Sequence, residues 1–454
     1  MKVKYGFLAF FVICVLLFSS CDAFLDWRND DNNKENQDKG NNNHENSAED
    51  KLMFDRINAL IDDEFYDRSP FNVDAPDEGY FISTGISVGV FKDGRFFFFN
   101  RGFNESEQRL AENRTPVTEN SVFEIASLTK PYTGALFAYL SETVNPSTGD
   151  FYVRLDDPIS LYFDIKPYGT ANTVPTLLQL ATHSSGFPDW ASNDNGRNYT
   201  LELMKSELEN IIYRYEPGTQ SVYSNFGVNV LGTILTMAYY GDDFPAKTFE
   251  DLLQELICKP LGFSSTTISP QLFPHIMSNK ALAHTFNGAP RTFGTWSSYY
   301  APASAINSTS KEIIEFLAMM MGEYVPAGMS EFQRKAAKSF EQKFRLRENG
   351  SLYLGLTWNI QPNRFDPSGT ISPYASNNSR LGNAFVELFP VLSNRGRYGR
   401  VYHHGGSLAN QYSTFFIVSP ETKAAVVVLA NNGGHRSKVE RLAWRILERA
   451  LNPR

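Results

Sequence analysis

Apolar residues run close together at both ends of the chain and recur at helical spacing through its middle. Near the start, residues 85–91 and 95–100 are apolar-rich extended runs flanking Lys92-Asp93-Gly94, which predicts a β-hairpin on an Asp-Gly turn. Strand-like runs return late, at 353–360, 412–419 and 424–430. Between them the chain reads mainly as helix from 151 to about 321, with loops marked by Pro and Gly. Segments 201–212, 229–239, 248–257 and 311–321 all space their apolar residues helically. Over 437–451, Val439, Leu442, Ala443, Ile446, Leu447 and Ala450 fall on one stripe, predicting a terminal helix packed on the sheet. Strands at both ends with helices inserted between them is the α+β pattern.

Composition divides the chain unevenly. Lys2 and Lys4 precede an apolar run over 5–18 and then Ser19-Ser20-Cys21. That order describes a secretory signal over 1–20, too short to span a bilayer comfortably. Cys21 at the boundary reads as a lipidation site, which would anchor the protein to a membrane without spanning it. Phe18 departs from the smaller aliphatic residue usual in that recognition box, and plain secretion after Ser20 is the alternative. Residues 22–50 are rich in Asn, Asp, Glu and Lys and hold few apolar groups after Trp27. Such a stretch buries too little apolar surface to offset ordering entropy, so 21–50 is expected to be a disordered tether. The expected location is the cell envelope. The body, 51–454, shows no second break in composition and is long for one core, which points to two lobes sharing a site, with a helical lobe over about 151–345.

Cys258 is the one cysteine of the body and sits in an apolar run, so it reads as a small core residue. A net charge of -8 and a pI near 5.5 argue against nucleic acid or an anionic surface as partner. Seven His residues show no metal-ligand spacing, and neither a metal nor another cofactor is expected. Nothing in the sequence indicates an oligomeric state.

The chemistry is concentrated in three short strings. Ser127-Leu128-Thr129-Lys130 places a hydroxyl and an amine on one helix face, so Lys130 can reach Ser127. The S-x-x-K spacing is weak alone, since about one or two chance copies are expected in a chain of this length. A second copy does occur, at Ser308-Thr309-Ser310-Lys311, where Ser308 reads as an N-cap ahead of an amphipathic run. Ser127 differs in context: an apolar approach over 122–126 leads into a helix opening at Ser127, with Pro131 in the first turn. The other strings are Tyr223-Ser224-Asn225 and His404-Gly405-Gly406. Ser87 lies in a G-x-S-x-G string, the mark of a nucleophile elbow, which needs a strand, a sharp turn and a helix. Here the chain continues as a strand into the hairpin, so Ser87 reads as a chance match.

These strings, in this order, resemble the serine beta-lactamase and penicillin-binding-protein superfamily. The branch is that of class C beta-lactamases, D-alanyl-D-alanine carboxypeptidases and related esterases. FEIASLTKPYTG (123–134), LLQLATHSSGFP (177–188), EPGTQSVYSNFGVNVLG (216–232), KPLGFSSTT (259–267) and HHGGSLANQYSTFFIVSPE (403–421) carry it. The resemblance implies an antiparallel sheet built from both termini, a helical lobe between, and a site in the cleft. It implies Ser127 as nucleophile and either Lys130 or Tyr223 as the acylation base. It places Asn225 on the substrate amide and on Lys130. His404, Gly406 and Ser407 fall in the third motif, where beta-lactamases usually carry Lys-Thr-Gly; His403-His404-Gly405 is a second register. Backbone N–H groups of Ser127 and near Ser407 are expected to form an oxyanion hole. His183 matches a family string and is read as structural. Trp296, Tyr299 and Tyr300 either line an acyl pocket or pack in the core.

Histidine is largely neutral near pH 7 unless a carboxylate raises its pKa. Replacing the usual lysine by histidine therefore weakens carboxylate recognition. The expected function is a serine hydrolase of small esters, D-amino-acid peptides or amides. A true beta-lactamase and a non-catalytic receptor that binds penicillin or cell-wall peptide are the alternatives.

Overall fold

The computed structural model describes residues 48–67, 80–81, 85–105, 114–190, 196–284, 296–341, 343–346, 352–361, 400–408 and 411–451. The expected signal, Cys21 and nearly all of the tether lie outside them. Helix α1 (Ala48–Phe65) opens inside the stretch read as tether, with Glu49 and Asp50 in its first turn, where carboxylates favour the exposed backbone N–H groups. The chain divides after Phe54 into two compact units, the second running from Asp55 to Arg454.

Eight strands of the second unit build one antiparallel sheet. In chain order they are β1 (Gly85–Lys92), β2 (Arg95–Gly102), β3 (Phe344–Leu346), β4 (Leu352–Leu354), β5 (Asn359–Gln361), β6 (Val401–Leu408), β7 (Tyr412–Ser419) and β8 (Ala424–Ala430). Across the sheet the order is β2-β1-β8-β7-β6-β5-β4-β3, so the C-terminal strand pairs with the N-terminal hairpin. Strands β7 and β8 are buried throughout, which explains their unbroken apolar runs: helices cover both faces.

Register sorts the side chains onto those faces. Val427 pairs with Gly89 and with Phe416, Phe416 pairs with His404, and Thr414 pairs with Gly406. All of these lie on the face covered by helix α4 (Ser310–Met320), because Gly89 abuts Ser310 and Ile314. The alternate residues His403 and Phe415 face the other way, toward Trp444 on helix α5 (Arg436–Arg445). A one-residue slip would exchange the two sets.

The predicted helices form with shifted ends. Helix α2 (Lys130–Ser141) follows a 3-10 turn at Ala126–Thr129, so the helical path begins at the predicted point. Helix α3 (Asn225–Tyr240) starts four residues before the apolar periodicity does, because Ser224 caps it by accepting from the Gly227 N–H at 2.9 Å. The run over 201–212 is helical only over Leu201–Glu209. Segments 248–257 and 437–451 each end in a π-turn, Gln254–Cys258 and Ile446–Ala450. The cap of α4 is Thr309, which accepts from the Glu312 N–H, not Ser308 as expected. Ser308 is taken up in a two-residue pairing with Phe123, its hydroxyl bonded to Thr266. Cys258 is buried, as its apolar setting predicts.

One predicted strand is broken. Residues 353–360 divide into β4 and β5 around Thr357, which has φ +64°. That turn is seated on α2: the Thr357 hydroxyl donates to the Lys130 carbonyl at 2.7 Å, and its N–H to Ala181 at 2.9 Å. Gly134 makes the seat possible, since a Cβ there would overlap the Leu356 carbonyl. The sheet thereby fixes the first turn of the helix that carries Lys130.

Candidate active site

Ser127 stands on the 3-10 turn that opens α2, immediately after Ala126, whose φ is +52°. A left-handed alanine is uncommon, so surrounding contacts must hold it. Two of them come from β7 and β6. The Thr414 hydroxyl donates to the Ile125 carbonyl at 2.9 Å. Gly406 lies so close that a Cβ would come within 2.5 Å of that same carbonyl oxygen. Glycine at 406 is what lets the strand approach the turn that carries Ser127.

Lys130 is fully buried and makes three hydrogen bonds. Its Nζ lies 3.1 Å from Ser127 Oγ, 2.6 Å from Asn225 Oδ1 and 2.8 Å from the Ala303 carbonyl. The amine also sits 4.6 Å from the centre of the Tyr223 ring. Burial pulls the Lys130 pKa down to about 7, against an opposing attraction from Asp189. Two of its three partners, the amide and carbonyl oxygens, can only accept. A neutral amine has two hydrogens for those acceptors, which leaves its lone pair aimed at the Ser127 hydroxyl. Tyr223 completes the group: its phenol donates to Ser127 Oγ at 2.7 Å.

The histidines divide by face. His404 is buried, with its ring 6.5 Å from that of Tyr223. Its Nδ1 lies 2.9 Å from the Gly405 carbonyl, which only accepts, so Nδ1 carries the ring proton. Burial, then the nearby Lys130, hold His404 well below the ordinary histidine pKa, so its ring is neutral. His403 stacks on Phe415 beneath α5 and does not join the group, as strand alternation requires. His183 packs its ring 4.6 Å from that of Tyr223, and its Nδ1 accepts from the Ser224 N–H at 3.2 Å. Burial and Lys130 push its pKa down to about 3, so it stays neutral and braces the tyrosine loop. Ser407 follows Gly406 on β6, half-buried and paired with Ser413.

Other candidates stand apart. Ser87 is buried between Asn100 Oδ1 at 2.6 Å and Ser310 Oγ at 2.7 Å, and among the described residues no base is bonded to its hydroxyl. Tyr300 is sandwiched between Trp190 and Trp296, with ring centres 4.6 and 5.4 Å away, so much of that cluster is spent on its own packing. Tyr299 lies apart from that stack, beside Thr233, Phe244 and Phe249. Two partners of the group went unread in the sequence. The Ala303 carbonyl carries no side-chain signal. Asp189, whose carboxylate accepts from Asn225 Nδ2 at 2.7 Å, is one of many loop acids until the fold brings it to the helix start.

Residues 82–451 match the family model described as Beta-lactamase. A beta-lactamase of Yersinia enterocolitica is 25% identical over 353 residues, covering 76% of this chain and 82% of its own length. The D-alanyl-D-alanine-carboxypeptidase/endopeptidase AmpH of Escherichia coli (strain K12) is 30% identical over 200 residues, 41% of this chain and 46% of its own. Among solved structures, a class C beta-lactamase superposes with a TM-score of 0.65 at 21% identity, covering 90% of this chain and 99% of that one.

Proposed function

The chain belongs to the beta-lactamase family, in its class C beta-lactamase and D-alanyl-D-alanine carboxypeptidase branch, and is a serine hydrolase of that type; from this premise we propose that Ser127 carries the acyl group. Neutral Lys130 takes the Ser127 proton as the oxygen attacks the substrate carbonyl. Tyr223, donating to the same oxygen, steadies it, then gives its phenol proton to the leaving group and recovers the one that Lys130 took, which leaves the amine neutral again. The backbone N–H groups of Ser127 and Ser407 receive the oxyanion, an interaction typically worth about 3 kcal/mol per donor. Water then releases the acyl group. The observation that carries this reading is the buried amine whose two acceptor-only partners leave its lone pair for Ser127.

The substrates we propose are small esters, D-amino-acid peptides or amides. His404, neutral through burial, supports a preference for substrates that do not rely on a carboxylate next to the scissile bond. Hydrolysis of beta-lactams is the second reading, favoured by the named relatives. Steady-state turnover of an uncharged chromogenic ester, a peptide ending in D-Ala-D-Ala and a carboxylate-bearing cephalosporin separates the two. The uncharged ester is expected to give the highest kcat/KM, and Ser127→Ala to abolish every activity. A cephalosporin that outruns the ester would overturn the substrate assignment.

For location, we propose a cell-envelope lipoprotein anchored through Cys21, a reading supported by the basic, apolar and small-residue order of the first 21 residues. Loss of membrane association in Cys21→Ala is the expected result. Unchanged association would remove the lipid from the account.

A further inference from the structure

Lys130 owes its bonding pattern to Asn225, because the amide oxygen, not the amide nitrogen, faces the amine. An asparagine side chain can turn over and exchange the two atoms. With nitrogen toward Lys130, the amine would meet a donor, and its lone pair would turn to the amide instead of to Ser127. What fixes the orientation lies on the far side of Asn225. There Asp189 Oδ1 accepts from Asn225 Nδ2 at 2.7 Å and from the Asn225 backbone N–H at 3.3 Å. A carboxylate only accepts, so it selects the nitrogen and leaves the oxygen for Lys130.

We propose that Asp189 is a positioning residue of this site: acting through Asn225, its carboxylate sets which hydrogen bonds Lys130 can make and places a negative charge behind the amine. The inference rests on the catalytic reading of Ser127 and Lys130. Asp189 is well held for the task. Its own carbonyl accepts from the Phe226 N–H at 2.9 Å, and the neighbouring Pro188 carbonyl accepts from the Ser224 hydroxyl at 2.7 Å, so the loop is bonded to the start of α3. Those same bonds define the bland alternative, in which Asp189 merely caps the helix. The two differ in charge. A cap could be neutral, whereas the carboxylate attracts the protonated form of Lys130 against the effect of burial. The groups around Lys130 are Ser127 on its own helix turn, Tyr223 and Asn225 ahead of and at the start of α3, and the Ala303 carbonyl. Asp189 and His183 face it from the loop before Trp190, and His404 from β6. Burial holds both histidines neutral, so among the described residues Asp189 is the charge that opposes the effect of burial on Lys130.

The test is the pH dependence of Ser127 acylation by a fluorophosphonate, followed by intact mass, in the full protein and in Asp189→Asn and Asp189→Glu. Removing the charge favours the neutral amine, so the acid limb of the rate in Asp189→Asn should move to lower pH by about half a unit or more. Its maximum should fall, on the order of tenfold, because two facing amides no longer fix one orientation. Asp189→Glu keeps the charge, and its limb should stay with the parent's even if its rate drops. A folded Asp189→Asn with the limb unmoved would make Asp189 a helix cap and overturn the inference alone. Should that variant not fold, Asp189→Ser keeps a short acceptor without charge and reports the same limb. A parent that takes no label at Ser127 would overturn the catalytic reading and this inference with it.

Discussion

Gly406→Ala and Gly405→Ala, two one-methyl changes at adjacent positions, should have very different effects. At 405 a Cβ would meet, among the described residues, only the Phe415 ring, at 3.4 Å, an ordinary contact distance. At 406 it would overlap the Thr414 hydroxyl and come within 2.5 Å of the Ile125 carbonyl oxygen. Relieving that overlap needs a shift of about 1 Å by β6, by Ile125 or by both, and Ile125 is two residues from Ser127. Crowding of this kind costs about 1–3 kcal/mol of stability. Misplacement of a reacting group by about 1 Å costs on the order of 10²-fold in rate. Thermal melts and kcat/KM on an uncharged ester, measured on both variants, read the two effects separately. Gly406→Ala should lose a few degrees in Tm and about 10²-fold in kcat/KM, most of it in kcat. Gly405→Ala should keep the parent's activity within a small factor. Equal losses in the two variants, or a fully active Gly406→Ala, would refute the view that the close approach of β6 holds the turn carrying Ser127.

Lys130→Met should lower the rate of Ser127 acylation by about 10²–10⁴-fold, the range for losing a general base. In the parent that rate should fall with decreasing pH through about 7, as the amine takes up its proton and ceases to be a base; a pH–rate profile checks it. Ser87→Ala removes a buried hydroxyl from Asn100 and Ser310 and should cost about 1–3 kcal/mol in denaturant melts, with fluorophosphonate labelling unchanged. Glu64→Ala leaves Arg441 and Arg445 without the carboxylate they share under α5. Both arginines keep some contact with water, so the loss in a denaturant melt should be about 1–3 kcal/mol, below the figure for a fully buried pair, and activity should persist.

The fold was legible where a single physical pattern dominates. The Asp93-Gly94 hairpin, the apolar runs of β7 and β8 and the stripe on α5 each follow from periodicity and turn chemistry alone. Where the sequence misled, a tertiary contact had overridden the local signal. Residues 353–360 look like one strand, and only the bond from Thr357 to the start of α2 explains the break. Ser308 looks like a cap, yet its pairing with Phe123 hands that role to Thr309. The meeting of Ser127, Lys130, Tyr223 and Asn225 was legible because short, recognisable strings carry those residues. The choice between His404 and His403 was not settled by the string alone, since the two are adjacent ahead of Gly405 and only register assigns them to opposite faces. Ala303 and Asp189 were invisible for a plainer reason: a backbone carbonyl has no sequence signature, and a loop carboxylate gains meaning only from the helix start it meets.

Whether Ser127 is an activated nucleophile is decided by intact mass after incubation with a fluorophosphonate. The parent should take one adduct, mapped by peptide digestion to Ser127, and Ser127→Ala none. An unlabelled parent, or an adduct that persists in Ser127→Ala, would contradict that role for Ser127.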